Sequence, residues 1–226
     1  MTRAGKCSQD ERAMLIEINP VPDGSSVTTN FTYENYLKTS DDESYKLLDG
    51  ELFILPAPNT AHQYVTMKLG ARYDMFIEER RLGVGDSAPT DVLLSESDVG
   101  QLNLMFISSE QDGMVTSANV TGAPDLLVEI GSDANAERDE ILRRNLYAEH
   151  GVKEYWMVDP DARTITVLIL GRDDNGEVTP HRNGQSLNSR LLEGFSVNLD
   201  EVFRCHPGLG EAEEYLICQA PCKSKA

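Results

Sequence analysis

The sequence predicts an α/β fold: a mixed β-sheet flanked by helices, with additional β-hairpins. Three observations point there. Short apolar runs bounded by Asp, Gly and Pro recur along the chain, and two stretches between them carry apolar residues at three- and four-residue spacing. Strand-like and helix-like segments also alternate rather than separating into blocks. With 226 residues, 40% hydrophobic and 26% charged, the chain is long enough for one full core, and its composition excludes fibrous, collagen-like and wholly disordered classes.

Residues 1–30 are rich in Ser, Thr, Pro, Gly and Asp without sustained periodicity and read as a loose arm. The domain is expected over 31–204. Glu34 to Lys38 opens a short helix, and the apolar run 45–55 is broken at Asp49-Gly50, the signal of a tight hairpin. Pro56-Ala57-Pro58 ends the second strand. Asn59 or Thr60 then caps a helix carrying Val65, Leu69, Tyr73, Phe76 and Ile77, with Gly83 as its stop. Residues 91–94 and 102–107 read as two strands around a polar turn.

Residues 125–130 have strand composition, with Asp125, Leu127 and Glu129 on one face and Leu126, Val128 and Ile130 on the other. Asp133 or Asn135 caps the next helix, which places Ile141, Leu142, Leu146 and Tyr147 on its buried face and stops at Gly151. Strands at 155–158 and 164–169 flank the Asp159-Pro160-Asp161 turn, and Asp174-Asn175-Gly176 and Arg182-Asn183-Gly184 mark further hairpin turns. Residues 205–226 form an acidic, Cys-containing tail.

Lys and Arg total 20 against 38 Asp and Glu, a formal charge of -18, so the average surface repels polyanions. Charged residues scattered through the first twenty positions predict no secretory leader. The strongest apolar run, Val167-Leu168-Ile169-Leu170, falls far short of the roughly 20 residues that cross a bilayer, so no membrane partner is expected. Cys7, Cys205, Cys218 and Cys222 all lie near the ends, a distribution that fits reduced thiols and a cytoplasmic location. Cys205-His206 with Cys218 and Cys222 also offers a zinc alternative, without the paired CxxC spacing of common zinc modules.

Three segments carry a family resemblance: Asp125-Leu126-Leu127-Val128-Glu129-Ile130, the following helix with Arg143, and the run from Gly151 through Tyr155-Trp156-Met157-Val158-Asp159-Pro160. Taken with Asp49-Gly50-Glu51-Leu52, Pro56-Ala57-Pro58 and His62, they resemble the Uma-two family of restriction-endonuclease-like proteins, within the PD-(D/E)XK nuclease superfamily. The resemblance spans about residues 45–203. It implies a restriction-endonuclease-like core, a DNA substrate and Mg²⁺ held by carboxylates of adjacent strands, with a Lys supporting attack on the phosphate. Cleavage of both strands needs two sites, which a homodimer supplies.

The resemblance assigns each part a slot. Glu129 stands at the strand Glu and is retained. Asn103 occupies the place of the central Asp ligand, so Glu129 and Asn103 are the implied metal-binding pair. Arg143, four residues after Asp139, occupies the Lys position, and Lys46 stands where a further Glu is usual. An amide brings no negative charge to a hard cation, and a guanidinium does not reproduce a compact ammonium. Glu129, Arg143 and Asn103 are therefore the candidate catalytic group of a degenerate endonuclease site. The alternative is a noncatalytic interaction or scaffold protein on the same fold.

Accessory candidates each have a second reading. Glu51 is a metal neighbour or an exposed hairpin residue, and His62 an active-site neighbour or a helix cap. Lys46 is a relocated site lysine or a strand residue. Asp125 is an accessory acid or a turn organiser, being about 13 Å along its strand from Glu129. Tyr155 and Trp156 read as core, and Arg143 and Arg144 also as solvated helix charges.

Overall fold

The computed structural model describes residues 27–28, 30–39, 44–55, 57–131, 136–171 and 176–204. All four cysteines, and with them the zinc reading, lie outside these residues, as do nearly all of the expected N-terminal arm and the whole tail. In chain order the elements are β1 Val27–Thr28, α1 Tyr33–Tyr36, β2 Ser44–Leu48, β3 Glu51–Leu55, α2 Thr60–Arg80, β4 Gly83–Ser87, β5 Asp91–Ser95, β6 Asp98–Gln101 and β7 Leu104–Ser108. A 3-10 turn at Ser109–Met114 is followed by β8 Val120–Thr121, β9 Leu126–Ile130, α3 Ala136–His150, β10 Glu154–Asp159 and β11 Thr164–Ile169. β12 Val178–Arg182, β13 Ser186–Asn188, β14 Ser196–Asn198 and α4 Leu199–Val202 complete the described chain.

The chain divides into two compact units, residues 1–57 with 93–100, and residues 58–92 with 101–226. In the first, β2 and β3 form an antiparallel hairpin, with Leu48 opposite Glu51. Asp49 and Gly50 both take positive φ, 50° and 71°, as a two-residue turn matched to strand twist requires. β3 also pairs with β1, and β2 with β6 through Leu47 and Val99. A small core of Phe31, Tyr36, Tyr45, Leu47, Leu52 and Val99 closes this unit. Asp98 is buried but satisfied, accepting from the Asp49 backbone N–H and the Ser95 and Ser97 hydroxyls.

The second unit is built on a six-stranded mixed sheet ordered β12-β11-β10-β9-β7-β4. β9 and β10 are parallel, joined through α3, whereas β7 pairs antiparallel with β9 and β10 with β11. Alternation along β9 sends Leu126, Val128 and Ile130 into the main core, where they meet Val65, Leu69, Tyr73 and Ile77 of α2 and the wholly buried Trp156. Burying each such side chain contributes about 1.5–3 kcal/mol before entropy is charged against it. Asn59 caps α2 by accepting from the His62 N–H.

Several expectations need correction. α2 ends at Arg80, and its stop is Arg81 in the left-handed conformation at φ 54°, not Gly83. Gly83 instead begins β4, a strand the sequence did not announce, and a Cβ there would sit 2.0 Å from the Ile107 carbonyl oxygen. The polar interval after residue 94 contains β6, and the apolar run after it resolves into β7 from Leu104. Ile141 is largely exposed rather than on the buried face of α3, while Tyr147 is buried as expected. The Arg182–Gln185 turn connects two different sheets, because β13 pairs with β14.

Candidate active site

Glu129 lies near the C-terminal end of β9, on the face opposite the α2 core. Arg143 and Tyr147 are four residues apart and so share one face of α3. Both reach the same carboxylate: Arg143 Nη1 stands 2.9 Å from Glu129 Oε2, and the Tyr147 hydroxyl donates to Oε1 at 2.6 Å. From the neighbouring β10, the Tyr155 hydroxyl donates to Oε2, also at 2.6 Å. The rings of Tyr147 and Tyr155 meet edge to face at 5.1 Å between centroids. Side-chain exposure is only 15% for Arg143 and 19% for Glu129, so the ion pair is shielded from most solvent screening. Burial, reinforced by the Glu129 charge, pushes the Tyr147 hydroxyl well above its ordinary pKa and keeps it a donor.

Asn103 immediately precedes β7, next to the end of β9. Its Oδ1 accepts from the Ile130 N–H at 2.7 Å, and its Nδ2 lies 3.0 Å from His62 Nε2 in the first turns of α2. The oxygen must accept the Ile130 N–H, which fixes the amide orientation and makes Nδ2 the donor to the imidazole. His62 then presents a lone pair at Nε2, in keeping with burial, which lowers its pKa below the ordinary value. Asn103 thus ties the helix start to two strand ends. His62 is brought to Asn103, and Arg143 to Glu129.

The remaining candidates have other surroundings. The Asp125 carboxylate, 0% exposed, accepts from the Ser108 N–H at 2.8 Å and stands 2.5 Å from Lys153 Nζ, so it organises strand ends at the far end of β9. Burial opposes its ionisation, but Lys153 and Ser108 outweigh that and hold its carboxyl below the ordinary range. Lys46 and Glu51 belong to the first unit. There Lys46 lies over the Phe53 ring at 5.7 Å, and Glu51 pairs with Leu48 at the hairpin end. The sequence expects Tyr147 and Tyr155 to be core side chains, and both are buried, with their hydroxyls turned to Glu129. Only the four-residue spacing from Arg143 to Tyr147 hinted that a phenol shares the guanidinium's target.

The donor set does not suit Mg²⁺. Such a site relies on one or two carboxylates completed by substrate oxygens and water. Here the retained carboxylate is engaged by one guanidinium and two phenols, and the partner slot holds an amide. Among the described residues, no three His, Cys, Asp or Glu side chains come together as metal ligands. Two unit charges 4 Å apart interact by about 4 kcal/mol at an effective dielectric near 20, so a dication placed equally near both groups loses to Arg143 about what it gains from Glu129.

The fold is a mixed α/β architecture of the nuclease type. The chain is similar in structure to a putative nuclease belonging to DUF820 from Anabaena variabilis, with a TM-score of 0.63 and 14% identity over 76% of this chain and 97% of that one. Residues 32–200 match the Uma2 family, described as putative restriction endonuclease, and the chain belongs to that family. No curated protein matches the chain. No helix among the described residues is long and apolar enough to cross a membrane.

Proposed function

We propose that this protein is a Uma2 nuclease-fold protein with a degenerate active site, acting without Mg²⁺-dependent phosphodiester hydrolysis as a noncatalytic interaction protein. One observation carries this reading: the Glu129 carboxylate is bound by Arg143, Tyr147 and Tyr155. Metal-assisted cleavage needs a carboxylate that faces a cation and a basic group free to meet the phosphate. In this arrangement the two groups neutralise one another. Asn103 supports the reading, because its oxygen is bonded to the protein backbone and carries no charge.

A second reading, a working metal-dependent DNA endonuclease, is favoured by family membership and by the Glu129 retained on its strand. DNA is the partner that membership suggests, and a homodimer would supply the two sites that cleavage of both strands uses. The net charge of -18 opposes DNA approach unless a local basic surface offsets it. Incubating the purified chain with supercoiled plasmid and Mg²⁺ or Mn²⁺ separates the readings. The first predicts no nicking above a metal-free control. Metal-dependent nicking that disappears in Glu129→Ala establishes the second.

A further inference from the structure

One face of α2 is left out of the site and of the core. Tyr64, Met67, Ala71 and Met75 follow one another at three- and four-residue spacing, opposite the buried Val65, Leu69, Tyr73 and Ile77. Met67 is 65% exposed and Met75 60%, an apolar stripe running about 16 Å along the helix. Methionine suits such a face, since its unbranched, polarizable side chain adapts to whatever covers it.

The described chain ends at the edge of this stripe. Leu199, Val202 and Phe203 anchor α4 in the main core. Arg72 pairs with Glu201 at 2.7 Å, and Lys68 Nζ donates to the carbonyl oxygens of Glu201 at 3.1 Å and Arg204 at 2.9 Å. The same Lys68 Nζ lies 4.4 Å over the ring of Tyr64, so the described chain ends, at Arg204, beside the first residue of the stripe. Residues 205–226 contain the apolar run Tyr215-Leu216-Ile217-Cys218 in an otherwise largely polar segment. Ten residues, 205–214, lie between Arg204 and Tyr215, enough to reach either end of the stripe even if wholly helical.

We propose that the Tyr64, Met67, Ala71 and Met75 face of α2 is a docking surface for this chain's own C-terminal segment, through Tyr215, Leu216 and Ile217. The exposed Met67 and Met75 face and the apolar Tyr215-Leu216-Ile217 run are joined by a tether of ten residues after Arg204, and a short tether gives an effective concentration in the mM range, well above that of a second copy at ordinary protein concentrations. The inference is independent of what Glu129 does.

Disulfide trapping in the full chain tests it. Met75→Cys is oxidised gently, and the bonds are mapped by mass spectrometry, with Val178→Cys, exposed on β12, as the control. Trapping within one molecule to Cys218 or Cys222, about tenfold faster than in the control, is the expected result. Equal rates at the two positions overturn the proposal, and bonds between molecules assign the face to a second copy instead. A second measurement does not depend on cysteine chemistry. Met67→Glu combined with Met75→Glu removes about 1 kcal/mol or more of apolar docking and raises chymotryptic cleavage after Tyr215 about fivefold in the full chain. An unchanged cleavage rate contradicts docking.

Discussion

Among the described residues Glu129 accepts from one guanidinium and two phenols, and these contributions can be separated. A hydrogen bond to a charged acceptor is worth about 1.5–3 kcal/mol, reduced where water has access. Tyr147→Phe and Tyr155→Phe each keep the ring and its packing while removing one 2.6 Å bond. Each is expected to lower unfolding stability by about 1–2 kcal/mol in urea titrations. A change near zero in both would mean that the phenols are core side chains and nothing more. Sequence reasoning reached Glu129 and Arg143 because family slots mark them. The phenols escaped it because their meeting depends on the parallel pairing of β9 with β10, a long-range fact that local periodicity does not encode.

Asp125 carries the pH dependence at this scale. Its folded pKa is depressed, so its contribution is fully present above the ordinary carboxylate value of about 3.9 and is lost as pH falls through the lower folded value. Stability of the natural chain should therefore fall more steeply below about pH 4 than that of Asp125→Asn, measured as the urea midpoint across the acid range. Parallel curves would remove Asp125 from the acid response.

At the scale of elements, strong periodicity was readable and weak strands were not. α2 announces itself through Val65, Leu69, Tyr73 and Ile77 with Asn59 as its cap, and β9 and β10 through β-rich apolar runs. β4, with the sequence Gly-Val-Gly-Asp-Ser, carries almost no hydrophobic signal. It exists because β7 offers it a partner edge and Gly83 permits the close backbone approach. The Ile141 error has a similar origin, since an apolar residue on a helix is buried only if something packs over it.

The loop after β13 depends on a buried acid at the start of β10. Glu154 accepts from Trp156 Nε1 at 2.6 Å, from the Ser189 hydroxyl and Arg190 N–H at 3.1 Å each, and from the Leu191 N–H at 2.8 Å. Glu154→Leu leaves those donors without their acceptor and should cost about 3 kcal/mol or more, with increased amide exchange concentrated at residues 189–192. Uniform exchange with a small loss would show that the loop is held by packing alone.

For the whole molecule, the order of blocks made the fold class and family legible, and physical chemistry raised the question about function. Asn103 and Arg143 could be read as chemical departures from sequence alone. What they do instead could not: Asn103 bridges His62 and the Ile130 N–H, and Arg143 closes on Glu129. A core that keeps its carboxylate but pairs it with Arg143, Tyr147 and Tyr155 retains the nuclease scaffold while the side chains that hold the acid differ from a metal-binding set.

The central claim is that this pairing excludes Mg²⁺, and calorimetric titration with Mg²⁺ tests it most directly. The natural chain is compared with Asn103→Asp combined with Arg143→Lys, and with that double variant also carrying Glu129→Ala. The account predicts no saturable binding by the natural chain at millimolar Mg²⁺, binding by the double variant, and loss of that binding with Glu129→Ala. Saturable Mg²⁺ binding by the natural chain that Glu129→Ala abolishes would contradict it.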